Sequence, residues 1–399
     1  MQTIDKMIGT LHKLGDVENV SDAVKSLGKA LSVIQWLFLT GQDLLDRYIS
    51  DPLLKAVLAA QSGDHGLPPS QVSAFVHAGI THHYLNGGYY PKGGAYTIPR
   101  AFVRALKRAG GEIKLNASVK RIMIKDGAAT GVILEDGSEI TSAFVISNAD
   151  PEVTFGKLIG RQYLSTKLRK KLDRVKYSVS SLSLFFAVDM DLRSAGLDSG
   201  NYWLYDHGDI DQLYRFSQSD EFLETDKFPA LFLTVTTLKD PEKFKKLGVH
   251  TCEAFVFVKY DAFAKWADEQ PGMRSDDYKR LKEKLADAMF KSIEKRIPGI
   301  REKVIFYNLA TPLTNVHYIN TTRGNIYGIE KNRKQVGPGA FSVQSEYENI
   351  LLCGASTLSH GVAGVTVSGL AAAARILRCS RAELLKQNGP SLFVEPSEK

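Results

Sequence analysis

The chain has 399 residues, 44% hydrophobic and 24% charged, with a formal net charge of +7. That length allows a large core and two domains rather than one, and the composition is that of an ordinary soluble protein. Three cysteines without CxxC spacing, Cys252, Cys353 and Cys379, speak against a disulfide framework or a zinc ribbon and for a reducing compartment.

Residues 1–85 read as helical, with apolar residues at helical spacing through 27–54 and a helix start at Asp51-Pro52. The first residues lack the charged start and apolar core of a signal peptide. The longest apolar run, 30–39, is too short to span a bilayer. It predicts a core helix, with a membrane-dipping edge as the alternative. Residues 63–69 break the pattern, and 71–85 are helical again. His82 and His83 are adjacent and diverge on a helix, and no HExxH or other spaced ligand set occurs, so no metal site is expected.

Gly93-Gly94 opens a helix over 98–109, whose apolar face is Ile98, Phe102, Ala105, Leu106 and Ala109. Strands are expected over 113–124, 130–134 and 139–147, joined by turns at Asp126-Gly127 and Asp136-Gly137 into a meander. Further strands are predicted at 178–189, 202–205, 230–238, 254–260 and 304–309. A helix over 275–296 carries Tyr278, Leu281, Leu285, Met289 and Ile293 on one face. Strands with helices on one side suit a domain that receives an elongated apolar substrate, and equally any α+β domain. Trp203, Tyr205 and Phe257 are either ordinary core or tunnel wall. The basic clusters at 167–176 and 331–334 lack the interleaved aromatics of a nucleic-acid groove, so no nucleic-acid partner is expected. Both are read as solvated surface charge, with attraction to anionic lipid left open.

Residues 349–377, NILLCGASTLSHGVAGVTVSGLAAAARIL, read as a buried strand ending at Gly354, a loop punctuated by Gly361 and Gly364, and an alanine-rich helix from Thr366. Such a unit offers free N–H groups and a positive helix end to an anionic ligand; the alternative is a plain strand-helix junction. Gly354-Ala355-Ser356-Thr357-Leu358 falls one residue short of a hydrolase G-x-S-x-G elbow. Leu358 replaces the last glycine and His360 follows too closely for the triad order.

This segment resembles the carboxyl-terminal flavin-binding segment of the phytoene desaturase, carotenoid isomerase and retinol saturase family of FAD-dependent oxidoreductases. The run from YPKGGAYTIPRAFVRALKRAGGEIKLNASVKRI to VISNADP (90–151) and ATPLTNVHYINTTRGNIYGIE (310–330) match the same family in order. The resemblance implies an α/β fold, α+β overall, with two domains: an incomplete Rossmann-like FAD domain and a substrate domain of mixed sheet plus helices. Residues 1–89 and 151–319 would form the substrate domain, 90–150 and 320–380 the FAD domain, and 381–399 a tail. It further implies Val119, Gly354, Ala355, Gly364, Val365 and Thr366 as FAD contacts, with Gly93 and Gly94 as a looser assignment. The substrate would be an apolar polyene or isoprenoid, desaturated, saturated or isomerised at C=C bonds. No catalytic acid or base is assigned.

The family's G-x-G-x-x-G unit occurs nowhere in the 399 residues. The chain is therefore expected to be a fragment, to work with a second chain supplying that unit, or to be a degenerate flavoprotein. The other readings are a carrier of apolar ligands and an amine-oxidase-like flavoenzyme with a different substrate. The expected location is cytoplasmic or peripheral to a membrane.

Overall fold

The computed structural model describes residues 36, 38–386 and 393–395. Most of the apolar run at 30–39, and the helical pattern before it, lie outside the described residues. Thr40 and Asp43 cap one another's backbone N–H to start α1 (Gly41–Tyr48), and Asp51 with Pro52 starts α2 (Pro52–Ala59). A 3-10 turn at Ala60–Asp64 leads on to α3 (Ala74–His83). The helix α4 (Thr97–Arg108) forms where the sequence places it, yet none of its residues is buried, and Phe102 is 61% exposed. The strand expected from 113 starts only at β1 (Val119–Lys125). Asn116 turns the chain with a left-handed φ of 52°, and Ile113 and Leu115 face solvent.

The strands β2 (Ala128–Leu134) and β3 (Glu139–Thr141) complete an antiparallel meander with β1. Asp126 and Gly127 take φ of 50° and 77°, the two left-handed residues of a tight hairpin. The single strand expected over 139–147 is split. Ser142 bends the chain by donating to the Phe144 carbonyl, and β4 (Val145–Ser147) leaves the meander to pair in parallel with residues 350–352. One straight strand could not serve both sheets.

After α5 (Thr166–Arg174) comes an antiparallel sheet of order β6-β7-β8-β5-β9. It comprises β5 (Ser180–Val188), β6 (Asn201–Tyr205), β7 (Ala230–Val235), β8 (His250–Val258) and β9 (Val304–Ala310). Between its strands lie α6 (Ile210–Gln218), α7 (Thr236–Lys239), α8 (Pro241–Leu247) and α9 (Asp276–Glu294). β7 stops short of the expected 238 because 236–239 turn helical. Alternation puts Leu182, Leu184 and Phe186 of β5 and Ala254, Val256 and Val258 of β8 in one core with Leu285, Met289 and Ile293 of α9.

The chain returns through α10 (Pro312–Ile319) to β10 (Ile350–Leu352) and α11 (Gly361–Leu377). Ile350 and Leu352 share a second core with Ile122 of the meander, Phe155 and Ile159. Buried Asp150 staples the outward and return crossings. It accepts from the Thr322 N–H at 2.7 Å, the Thr322 hydroxyl at 3.0 Å and the Val153 N–H at 3.0 Å. Among the described residues no helix is long and apolar enough to cross a membrane.

Candidate functional site

Gly354 ends β10 with φ 92°, and a side chain there has no room: a Cβ would stand 2.1 Å from Asn148 Oδ1. Its N–H donates to Ser368 Oγ at 2.8 Å, which pins the loop to α11. That helix begins at Gly361, five residues before the alanine-rich stretch expected to form it. Gly361, Val362 and Ala363 are exposed, and the His360 side chain does not cap them. The first-turn N–H groups and the positive end of the helix dipole are thus open to a ligand.

His360 instead donates from Nε2 to the Asp64 carbonyl at 2.7 Å, with its ring 4.9 Å from that of Tyr327. The start of α11 is thereby fastened to the turn at 60–66. In that turn His65 is fully buried, its Nε2 3.3 Å from Nδ1 of His77. Burial holds His360 down to about 4 and keeps His65 and His77 below the ordinary imidazole range, so all three are neutral at pH 7. Burial also raises the Asp64 carboxyl, which bonds Tyr84. Lys331 lies on the other side of the loop, only 3% exposed, donating from Nζ to the Ala355 carbonyl at 2.7 Å. Desolvation pushes its ammonium down to about 8. The solvated reading of the 331–334 cluster is therefore wrong for Lys331, which the chain turns inward onto Ala355; Arg333 and Lys334 do face solvent.

The same turn meets an aromatic wall. Trp203, Phe232 and Phe255 are cross-strand partners on β6, β7 and β8, on the sheet face away from the α9 core. Their ring centroids are 4.6 to 5.5 Å apart, and Phe257 extends the row. Gly63 abuts Trp203 so closely that a Cβ would stand 1.8 Å from the indole. Tyr205 donates to the Ala60 carbonyl at 2.5 Å and Tyr214 to the Ser62 carbonyl at 2.8 Å. Aromatic wall, polar turn and the start of α11 are thus continuous.

Of the residues singled out in the sequence, Gly354, Ala355, Gly364, Val365 and Thr366 fall together at this junction. Gly364 is forced by packing, since a Cβ would lie 2.7 Å from Ser359. Thr366 is one turn into the helix and donates to the Val362 carbonyl at 2.7 Å. Val119 sits apart at the start of β1. Gly93 and Gly94 are anchored elsewhere, with the Gly93 N–H donating to Asp240 at 3.0 Å. Trp203, Tyr205 and Phe257 do come together. The hydrolase reading fails, because Ser356 is buried and His360 Nδ1 has no hydrogen-bond partner among the described residues. Sequence reading missed the roles of His65, His77, Lys331 and Tyr327, whose contacts come from segments distant in the chain. A separate cavity of ≈ 380 Å³, between Asp189–Arg193 and Thr237–His250, shares no residue with this junction.

The chain is similar to several known proteins. The chain spans 57% of the all-trans-retinol 13,14-reductase of Danio rerio, to which it is 30% identical over 84% of its own length. It is 26% identical to the prolycopene isomerase of Daucus carota over 75% of this chain and 46% of the relative. Two solved structures share the fold: an oxidoreductase from Methanosarcina mazei and a putrescine oxidase variant. Their TM-scores are 0.54 and 0.57, at 17% and 13% identity, covering 91% and 87% of this chain and 72% and 69% of theirs. The family model for flavin containing amine oxidoreductases matches residues 32–377. The chain belongs to the flavin containing amine oxidoreductase family.

Proposed function

We propose that this chain is the substrate-binding and flavin-ring-binding part of an FAD-dependent oxidoreductase that acts on C=C bonds of a polyene or isoprenoid. The observation that carries this reading is that the turn at 60–66 touches both the aromatic wall, at Trp203, and the residue before the uncapped start of α11, His360. The retinol reductase and prolycopene isomerase named above act on substrates that such a wall suits. Gly354, Ala355 and the turn from Gly361 to Thr366 would hold the ring end of the flavin, and Val119 the adenine. The flavin itself supplies hydride chemistry. The chain's own residues do the rest. The α11 N-terminus favours negative charge at the ring. Lys331 fixes the Ala355 carbonyl, and the buried turn at 60–66 excludes water.

In this reading 90–150 and 320–380 form the flavin part and 1–89 and 151–319 the substrate part. The pyrophosphate cradle is supplied by a G-x-G-x-x-G segment on a longer or second chain, which would cover the exposed face of α4. Contact with a membrane surface would deliver the apolar substrate. A second reading, a flavoprotein without redox activity, is favoured by similarity to a relative named an inactive all-trans-retinol 13,14-reductase.

The test is flavin absorbance of the purified chain mixed with FAD, with and without a dinucleotide-binding segment, followed by anaerobic polyene turnover read as a change in polyene absorbance. Flavin binding with turnover is expected. Flavin binding without turnover selects the second reading, and no flavin in either mixture overturns both.

A further inference from the structure

Among the described residues, three buried polar atoms around the junction have no hydrogen-bond partner: Ser62 Oγ, His65 Nδ1 and His360 Nδ1. His65 Nε2 lies 3.3 Å from His77 Nδ1, so one ring donates to the other, and His65 Nδ1 is left unpartnered. His360 spends its N–H on the Asp64 carbonyl, so its Nδ1 is a bare lone pair. His360 is bonded to the Asp64 carbonyl, directly beside His65, and Lys331 holds the Ala355 carbonyl of the loop that leads to His360. Buried acceptors without a donor are costly, so this corner suits an incoming X–H group. An ammonium would put a second cation beside Lys331, whereas a neutral hydroxyl would not.

We infer that Ser62, His65 and His360 form a subsite for a hydroxyl group at the polar end of the apolar substrate. This rests on the proposed function, in which the polyene lies along Trp203, Phe232, Phe255 and Phe257. Gly63 joins the two parts: it stands between Ser62 and Asp64 and presses its backbone onto Trp203. Aromatic wall and acceptor corner thus share one five-residue turn, Ala60–Asp64, followed directly by His65. The substrate hydroxyl donates to an imidazole, and Ser62, able to give and to take, closes the network. Water is the other source of the same chemistry.

The test measures quenching of tryptophan fluorescence on the 399-residue chain, which needs no flavin. Three ligands with one polyene chain are compared: the terminal alcohol, the hydrocarbon with methyl in its place, and the primary amine. The alcohol is expected to bind about tenfold more tightly than the hydrocarbon, and more tightly than the amine. In His360→Gln, whose amide N–H still reaches the Asp64 carbonyl, and in Ser62→Ala, that advantage should shrink about threefold or more while hydrocarbon affinity holds. Equal binding of alcohol and hydrocarbon gives the corner to water and overturns the inference while the proposed function stands. Tighter amine binding overturns it in favour of a cation. An alcohol advantage that survives both variants overturns the residue assignment, and failure of all three ligands overturns the proposed function as well. If one variant does not fold, the other variant and the wild-type comparison decide.

Discussion

In the five-stranded sheet, Leu182, Leu184 and Val188 of β5 are closed off by Leu285, Met289 and Ile293 of α9. Around the β4–β10 pair the outcome differs. Phe144 and Ile146 at β4, Phe102 and Leu106 on α4, and Leu115, at 81%, are exposed. Hydrophobic patterning does not explain the contrast, since α4 divides apolar from polar more sharply than α9 does. The difference is whether a partner element lies opposite. A two-stranded sheet has little stability of its own, and uncovered apolar faces mark places where another element packs. The α9-covered face of the five-stranded sheet is a finished core, whereas apolar side chains around β4 and α4 stay exposed.

The largest test of that contrast is Leu184→Ala, expected to cost about 2–5 kcal/mol in urea unfolding because it opens a cavity in the finished core. If it costs under about 1 kcal/mol, this half is not the stable one. Acid acts next, on the junction. His360 stays neutral in the folded chain down to about pH 4, while in the unfolded chain it takes a proton below about 6.5. The unfolded state therefore binds more protons in this window. About 3 kcal/mol of stability should be lost as pH falls from about 6.5 to 4, with His65 adding in the same direction. Melting curves across that range check it, and His360→Gln should flatten the slope. Gly354→Ala comes third, at about 1–3 kcal/mol, because φ is 92° and Asn148 leaves no room. The smallest effect is Phe102→Ser on the open face of α4, expected within about 0.5 kcal/mol in chemical denaturation. A cost matching that of Leu184→Ala would mean that α4 is already covered, and the comparison between the halves would break.

Part of the fold was legible because its causes are local. The Asp126-Gly127 hairpin and the alternation of β5 and β8 are set by backbone preference and side-chain period. The apolar face of α9 and the strand-to-helix unit at Gly354 are set the same way. The junction was legible only where a motif carried it, at Gly354, Ala355 and Gly364. Lys331, inside a KNRK run, carried the pattern of surface charge, and only the approach of Ala355 buried it.

The sequence by itself determined the Asp126-Gly127 hairpin, the strands β5 and β8, the apolar face of α9 and the stop at Gly354. Only the tertiary structure decided that 139–147 divides between two sheets and that α4 lies open. It also decided that His65, His77 and His360 meet, because each of these depends on segments far apart in the chain. Local preference is worth tenths of a kcal/mol per residue, whereas burial and desolvation of a charged or apolar side chain are worth a few. Where the two disagree, long-range packing wins.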